Sequence, residues 1–202
     1  MTPPRRRTQS GASRRDSILA AAKRLVSATG VKATSMRDLA REVGVTEGAL
    51  YRHFDSKEAL IAELFSYEAS RLHGWLAHSL DETRGAWEQL DGLVAGFLDF
   101  GFREAESFRL ILELHETAGL RAGPQVRLPR EHFLSVLRTL AEQESVRVSD
   151  PFAVVLMIVG LLSRLIGGSR AGAVKLSRSD VVALAQRTAR AVVDAARVPA
   201  GP

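Results

Sequence analysis

The amino-acid sequence predicts an all-α protein. Apolar residues recur at three- and four-residue spacing through most of the 202 residues, which is the spacing of one face of a helix. No segment stands out with the period-two alternation of a strand. Glycine, proline or a capping hydroxyl residue separates the helical segments. With 46% hydrophobic residues, the chain is long enough for one small domain and a second domain of ordinary size.

Residues 1–13 are rich in Pro, Arg, Ser and Gly, a composition typical of a flexible arm. Two interpretations stay open for the Arg5, Arg6 and Arg7 run in this segment. It is either an extension that contacts DNA phosphates or the minor groove, or a solubilising tail.

A first helix is predicted from Ser13 to about Thr29, with Gly30 closing it. Its apolar stripe consists of Ile18, Leu19, Ala22, Leu25 and Val26. We expect this helix to support its neighbours.

Residues 34–60 carry the pattern of two short helices, a tight turn and the start of a third helix. Ser35 is a suitable N-cap for the first helix, and Asp38 follows three residues later as its acidic capping partner. Gly44 can end that helix in the left-handed conformation, and Thr46 can cap the next helix. The resulting turn of about three residues is that of a helix-turn-helix motif, which places a helix in DNA.

The second helix of this motif is predicted over residues 47–54. Leu50 and Phe54, four residues apart, form its buried side. The residues on its outer side are small at one end, where Gly48 and Ala49 lie, and small residues let the backbone approach base edges. At the other end, Tyr51 and Arg52 suit phosphate oxygens and guanine edges.

A third helix is predicted to begin at Ser56 and to continue to about Leu80, connecting two domains. Lys57 lies in its first turn, beside backbone amides that favour an anion. Further helices are predicted at 86–104, 106–117, 127–144, 150–170 and 178–197, with breaks at 118–129 and 167–177.

These motifs resemble the DNA-binding domain of the TetR family of bacterial transcriptional repressors. The similarity runs from Ser13 to about Leu64, a quarter of the chain. It includes Arg-Asp-Leu-Ala at 37–40, Gly-Val-Thr at 44–46, Leu-Tyr-Arg-His-Phe at 50–54 and Lys-Glu-Ala-Leu at 57–60. The rest of the chain is similar to the family only in being helical and of suitable length. The resemblance implies a helix-turn-helix DNA-binding domain at 14–62 and a larger effector-binding and dimerisation domain at 63–202.

The resemblance also implies which residues contact DNA. Tyr51 and Lys57 match the positions that hold phosphate. The expected DNA-binding set is Ser35, Arg37, Thr46, Glu47, Gly48, Ala49, Tyr51, Arg52, His53 and Lys57. Glu47 has two open interpretations, since its carboxylate can accept from cytosine N4 or complement the helix dipole. His53 is either a contact residue or a packing residue.

Charge is unevenly distributed along the chain. Residues 1–57 hold 12 Lys/Arg against 5 Asp/Glu, a balance of +7, and the remainder holds 16 against 18, a balance of −2. This asymmetry favours a polyanionic partner at the N-terminal end. The absence of cysteine excludes disulfides and thiolate chemistry. With no secretory signal evident, and no uncharged apolar run longer than 12 residues, we expect a cytoplasmic protein with no membrane partner.

The last two predicted helices have the composition of an interface. The helix at 150–170 is apolar nearly all round, and the helix at 178–197 carries small residues on one side. The resemblance implies a homodimer through these helices, whereas burial within one subunit is the alternative. A dimer would set the two recognition helices about 34–36 Å apart, one helical turn of DNA.

The resemblance further implies a pocket for a small-molecule effector of unknown identity in the C-terminal domain. Candidate pocket residues are Trp75, Trp87, Phe97, Phe100, Phe108, Leu112, His115, Phe133, Met157 and Arg164. An ordinary hydrophobic core is the alternative for these side chains. The histidines have no spacing typical of a metal site, and we expect no cofactor.

Three classes of function were compared on these observations. The favoured class is a homodimeric repressor that binds a palindromic double-stranded DNA operator and is released by an effector. A DNA-binding regulator without an effector would differ only in lacking the pocket. An enzyme is not expected, because no phosphate loop, nucleophile elbow, metal motif or catalytic dyad is present. The sequence does not distinguish repression from activation.

Overall fold

The computed structural model describes residues 11–115 and 128–198, with side chains from Arg14 onward. The described chain is helical, as predicted, and its only strand-like pairing is an isolated bridge between Val148 and Arg197. The helices are α1 (Gly11–Thr29), α2 (Met36–Val43), α3 (Glu47–Tyr51), α4 (Lys57–Ser79), α5 (Ala86–Arg103), α6 (Ala105–His115), α7 (Arg130–Gln143), α8 (Pro151–Arg170) and α9 (Arg178–Ala195).

Most helix boundaries agree with the sequence prediction to within three residues. Helix α1 begins at Gly11, so residues 11–13 are helical and do not belong to the predicted arm. The remainder of the arm, residues 1–10, lies outside the described residues, as does most of the predicted loop at 118–129.

The predicted break at 167–177 was placed too early. Helix α8 continues through Gly167 and Gly168 to Arg170. The residue that turns the chain is Gly172, whose φ of 69° lies in the left-handed region that favours glycine. Gly168 has a different role, because it lets the segment after the turn pack closely on α8. A Cβ atom at Gly168 would lie 3.3 Å from the Val174 side chain.

The described chain forms two compact units. Residues 11–67 and 109–115 belong to the first unit, and residues 68–108 and 128–198 belong to the second. The division therefore falls inside α4, after Tyr67, and inside α6, after Phe108.

The first unit contains the helix-turn-helix motif. Helix α2 packs against α1 and α3. The core of this unit is apolar and fully shielded, and it includes Ile18, Ala22, Leu39, Leu50, Leu60, Leu64 and Phe65. Since α3 has only five residues, too few to be stable alone, its position depends on this packing.

The second unit is built around α5, which packs against α7, α8 and α9. Glycines allow close approach on two sides of α5. A Cβ atom at Gly101 would lie 2.5 Å from Ile166 Cδ1 of α8, and one at Gly92 would lie 2.6 Å from the Ser79 carbonyl oxygen of α4. Helix α5 is consequently the central helix of this unit.

Helix α8 is long and apolar enough to cross a membrane, and it is the only such helix in the described part of the chain. Length and composition alone are weak evidence for a span. In this structure α8 packs against α5, α7 and α9, and it carries Arg164 within its length.

Candidate nucleic-acid interface

Helix α2 begins with the predicted cap. The Ser35 hydroxyl accepts a hydrogen bond from the Asp38 amide at 3.1 Å and donates one to the Asp38 carboxylate. This hydroxyl, followed by the charge of Arg41, holds the pKa of Asp38 below its ordinary value. Ser35 is thereby committed to the start of α2, and Arg37, one residue into the helix, is exposed.

The turn between α2 and α3 depends on Gly44. Its φ of 72° and ψ of 37° are left-handed, and no atom lies within 4 Å of the position that a Cβ would occupy. The requirement for glycine is therefore conformational, and a residue with a Cβ would cost about 1–2 kcal/mol there. The Val45 amide donates to the Ala40 carbonyl at 2.9 Å and fixes the exit from α2.

Thr46 caps α3, as predicted. Its hydroxyl accepts from the Ala49 amide at 3.2 Å, so the side chain is occupied with holding the first turn. Glu47 and Gly48 are exposed and follow directly. A Cβ at Gly48 would meet nothing within 4 Å, which leaves this surface open for an approaching ligand.

Helix α3 ends at Tyr51, three residues earlier than predicted. The amides of His53 and Phe54 both donate to the Leu50 carbonyl, at 2.8 and 3.0 Å, so the helix tightens into a turn. Leu50 and Phe54 are buried, as predicted, and the turn leaves Tyr51 48% exposed.

Helix α4 begins at Lys57, behind a cap at Ser56. The Ser56 hydroxyl accepts from the Ala59 amide at 3.0 Å. Lys57 is half-buried in the first turn, where the helix dipole and free amides favour an anion.

The motif keeps several cations available for DNA. Arg24 pairs with Glu42 at 3.2 Å, and Arg41 pairs with Asp38 at 2.7 Å. In contrast, Arg37, Arg52 and Lys57 form no ion pair with any residue in the described ranges. These three cations are available to neutralise phosphates. Neutralisation of phosphates by Lys and Arg is a large source of protein affinity for DNA.

The ten expected DNA-binding residues all lie on the first unit, between Ser35 and Lys57. Exposed members are Arg37, Thr46, Glu47, Gly48, Tyr51 and Arg52, and half-buried members are Ser35, Ala49, His53 and Lys57. Their contacts with DNA stay predictions.

The effector candidates divide into several places. Five aromatic candidates in the second unit form two groups, a pair of Trp75 with Phe100 and a trio of Phe97 with Phe108 and Phe133. Ring centres lie 5.7 Å apart for Trp75 and Phe100, 5.3 Å for Phe97 and Phe108, and 6.2 Å for Phe97 and Phe133. All are edge-to-face, the favoured arrangement of packed aromatic rings.

The other five candidates lie outside these two aromatic groups. Trp87 is half-buried on α5, with the guanidinium carbon of Arg190 5.3 Å from its ring centre. Leu112 and His115 belong to the first unit. Met157 and Arg164 are exposed on α8. The ten candidates stay predictions, and the ring contacts unite Trp75 with Phe100 and, separately, Phe97 with Phe108 and Phe133.

Two polar clusters in the second unit were not predicted. The Arg71 guanidinium bonds to Glu68 and Ser107 at 3.0 Å and to Glu104 at 2.9 Å, and Glu68 is only 1% exposed. The rings of His73 and His132 stack with centres 4.1 Å apart. Within the residues that the structure covers, no group of three or more His, Cys, Asp or Glu side chains has the arrangement of a metal site.

One face of α8 exposes an unusual number of large apolar side chains. Phe152, Leu156, Met157 and Leu161 are each 44–52% exposed. Beside them, a shallow groove of about 180 Å³ runs between α8 and α9. Its lining consists of Ile158, Leu161, Leu162, Leu165, Leu184, Ala185, Thr188 and Ala189, none of which is an effector candidate.

Comparison with known proteins agrees with this geometry. The family of bacterial regulatory proteins, tetR family, matches residues 18–64. The HTH-type transcriptional repressor KstR2 of Mycolicibacterium smegmatis is 38% identical over 96 residues, which is 47% of each chain. The chain thus matches about half the length of this curated relative.

Solved structures share the fold across most of the chain. A TetR family transcription regulator from Marinobacter aquaeolei superposes with a TM-score of 0.73 at 20% identity, covering 90% of this chain and 95% of the other. The transcriptional regulator FadR from Bacillus subtilis, in complex with stearoyl-CoA, superposes with a TM-score of 0.71 at 17% identity. The match covers 88% of this chain and 97% of the FadR chain. These proteins are regulators of transcription and not enzymes. Residues 18–64 thus carry the helix-turn-helix domain of the tetR family of bacterial regulatory proteins, and most of the chain shares the fold of solved TetR-family regulators.

Proposed function

We propose that the protein is a homodimeric transcriptional repressor that binds a palindromic operator and is released by a small-molecule effector. DNA binding is supported by the surface of α3 and the start of α4. Tyr51 and Arg52 are exposed there, Lys57 is half-buried, and no atom lies within 4 Å of where a Cβ at Gly48 would be. Repression, rather than activation, is supported by the name of the KstR2 relative. A cytoplasmic location follows from the proposed partner, chromosomal DNA.

Eight of the ten expected DNA-binding residues are proposed to have distinct roles. Ser35 and Thr46 use their hydroxyls to cap helices, so they position the interface. Tyr51 and Lys57 are proposed to hold phosphate, which fixes the register of the protein on the duplex. Glu47, Gly48, Ala49 and Arg52 are proposed to lie at the base edges of the major groove.

Dimerisation is proposed through the exposed face of α8 and the groove beside α9. A row of large apolar side chains on a lone chain would be an extended exposed patch, which soluble monomers rarely carry. Packing against a second copy would remove it from water, and each leucine, already about half-buried, would contribute half of the ~1.5–3 kcal/mol of full burial. Two copies related by a twofold axis would read two half-sites about 34–36 Å apart.

Effector release is proposed for the second unit. The neighbour FadR, whose structure contains stearoyl-CoA, supports a ligand in a helical domain of this fold. The five aromatic candidates of the two groups in this unit are the proposed lining. To convert a population from 99% DNA-competent to 99% released, the effector must prefer the released conformation by about 5.5 kcal/mol.

The DNA-binding proposal is tested by selecting duplexes from a random pool with the purified protein. We expect enrichment of an inverted repeat whose half-sites are about one helical turn apart. Recovery of no sequence above the level obtained with beads alone would contradict it.

The effector proposal is tested separately. Protein purified from its native host would be extracted and analysed by mass spectrometry, and any recovered compound would be added to the complex with the selected duplex. We expect a compound that lowers DNA affinity. A recovered compound that leaves DNA affinity unchanged, or an extract without any compound, would count against effector release.

A further inference from the structure

Arg15, on α1, connects three elements of the first unit. Its Nε and Nη2 atoms donate to the two carboxylate oxygens of Glu63 on α4. Its Nη1 atom donates to the backbone carbonyl of His53 at 2.9 Å. The guanidinium carbon also lies 4.5 Å from the centre of the Phe54 ring. One side chain thus contacts α4 and both residues that follow the turn after α3.

Arg15 bonds to the turn that follows α3, the shorter of the two helices of the helix-turn-helix motif. Helix α3 has five residues and tightens into a turn at its C-terminal end. A cation that hydrogen-bonds a carbonyl at such an end complements the helix dipole. The guanidinium also makes a cation–π contact with the ring of Phe54, which together with Leu50 is buried in the core at this turn.

The positive charge of Arg15 is paired within the protein. Its bidentate bonds to Glu63 raise the pKa of the guanidinium above its ordinary value, and the carboxylate of Glu63 offsets its positive charge. Arg14, its exposed neighbour, carries the same charge and forms no ion pair with a described residue.

We infer that Arg15 is a positioning residue of the DNA interface. It fixes the C-terminal end of α3, and with it the direction in which Tyr51 and Arg52 face DNA. Arg15 lies 48 residues from Glu63 in sequence and outside the helix-turn-helix motif. This inference rests on the proposed function, since it assigns a role in the same DNA-binding surface.

A guanidinium is required for this role. Arginine presents donors in a rigid planar fork, so it can bond Glu63 twice and His53 once while stacking on Phe54. Lysine would preserve the charge without this geometry. Arg15→Lys therefore separates positioning from electrostatic attraction.

The test compares R15K with the matched control R14K. Each variant is titrated with two duplexes, namely the one selected by the wild-type protein and a scrambled duplex of the same composition. Titrations are made at a temperature where circular dichroism shows every variant to be folded. We expect R15K to lose about ten-fold in affinity for the selected duplex, comparable to the loss of one base contact, and to bind the scrambled duplex unchanged. R14K should match the wild type on both.

Each other outcome overturns the inference. Wild-type affinity of R15K for the selected duplex would exclude positioning, and an equal loss on both duplexes would identify Arg15 as a phosphate ligand. If R15K does not fold, E63Q provides the second variant, because it removes the partner charge and retains the side-chain size. We expect E63Q to lower the ratio of selected to scrambled affinity, and an unchanged ratio overturns the inference. A wild-type protein that selects no duplex overturns the proposed function, and the inference with it.

Discussion

At the scale of single residues, some side chains of the motif cap its helices, and others are proposed to contact DNA. The hydroxyls of Ser35, Thr46 and Ser56 each accept a hydrogen bond from a backbone amide at the start of a helix. Such caps contribute about 1 kcal/mol each by using the hydroxyl oxygen as an acceptor. Lys57 is different, since it has no ion-pair partner among the described residues and points from a first turn that favours anions.

Lys57→Ala should weaken DNA binding broadly across sequences. Removal of one phosphate contact should reduce the slope of log affinity against log salt concentration by about one unit. The measurement is fluorescence anisotropy of a labelled duplex at several salt concentrations. Lys175→Ala is the matched control, because Lys175 is exposed and belongs to the second unit. A slope of K57A equal to that of K175A would show that Lys57 does not hold phosphate.

His132 makes the stability of the second unit depend on pH. Burial, together with the nearby His73, lowers the pKa of His132 below its ordinary value of 6.5. The unfolded chain therefore binds the proton first as pH falls through 6.5, and the folded state loses stability below that pH. The same contribution is fully present above pH 6.5.

His132→Gln should accordingly flatten the pH profile. We expect its free energy of unfolding to fall less between pH 7.5 and 5.5 than that of the wild type. Urea denaturation followed by circular dichroism measures this, with His78→Gln as the control, since His78 is exposed. Parallel profiles of the wild type and H132Q would show that His132 does not titrate differently in the folded state.

At the scale of helices, α8 combines two surfaces. Val154, Val155, Ile158, Leu162 and Ile166 are buried within the second unit. Phe152, Leu156, Met157 and Leu161 are exposed on another side, and this is the face that we propose for contact with a second copy. The sequence could predict an apolar helix here, but not which of its sides the chain itself covers.

Leu161→Glu should dissociate the proposed dimer. It would place a carboxylate from each chain in an apolar interface, where an unpaired charge is strongly disfavoured. Light scattering coupled to size exclusion should show half the mass of the wild type. Leu176→Glu is the matched control, because Leu176 has the same 48% exposure as Leu161 and lies in the connection after α8. A dimeric L161E, or an L176E that dissociates equally, would contradict the assignment of the interface.

Local sequence patterns predicted the helices well because caps and apolar periodicity act over few residues. Thr46 marked the start of α3, and Gly44 marked the turn before it. The early end of α3 was missed, since Phe54 fits the helical period although the chain has already tightened at Leu50. The bonds of Arg15 to Glu63 and of His132 to His73 span 48 and 59 residues, a separation that no local pattern encodes.

At the scale of the whole molecule, charge and the motif agree. The excess of +7 in residues 1–57 coincides with the helix-turn-helix, while the remainder carries −2. Because attraction to a polyanion depends on local charge, only one part of the chain is suited to DNA. The rest carries the exposed apolar face of α8 that is proposed to meet a second copy, and the aromatic side chains proposed for the effector.

The measurement that tests the central claim most directly is the affinity of Tyr51→Ala/Lys57→Ala for the duplex selected by the wild-type protein. Both proteins would be compared in the same buffer, after circular dichroism and light scattering have shown equal helicity and equal mass. Loss of two phosphate contacts predicts a decrease in affinity on the order of a hundred-fold. A folded double variant that binds the selected duplex as tightly as the wild type would contradict DNA recognition through α3 and the start of α4.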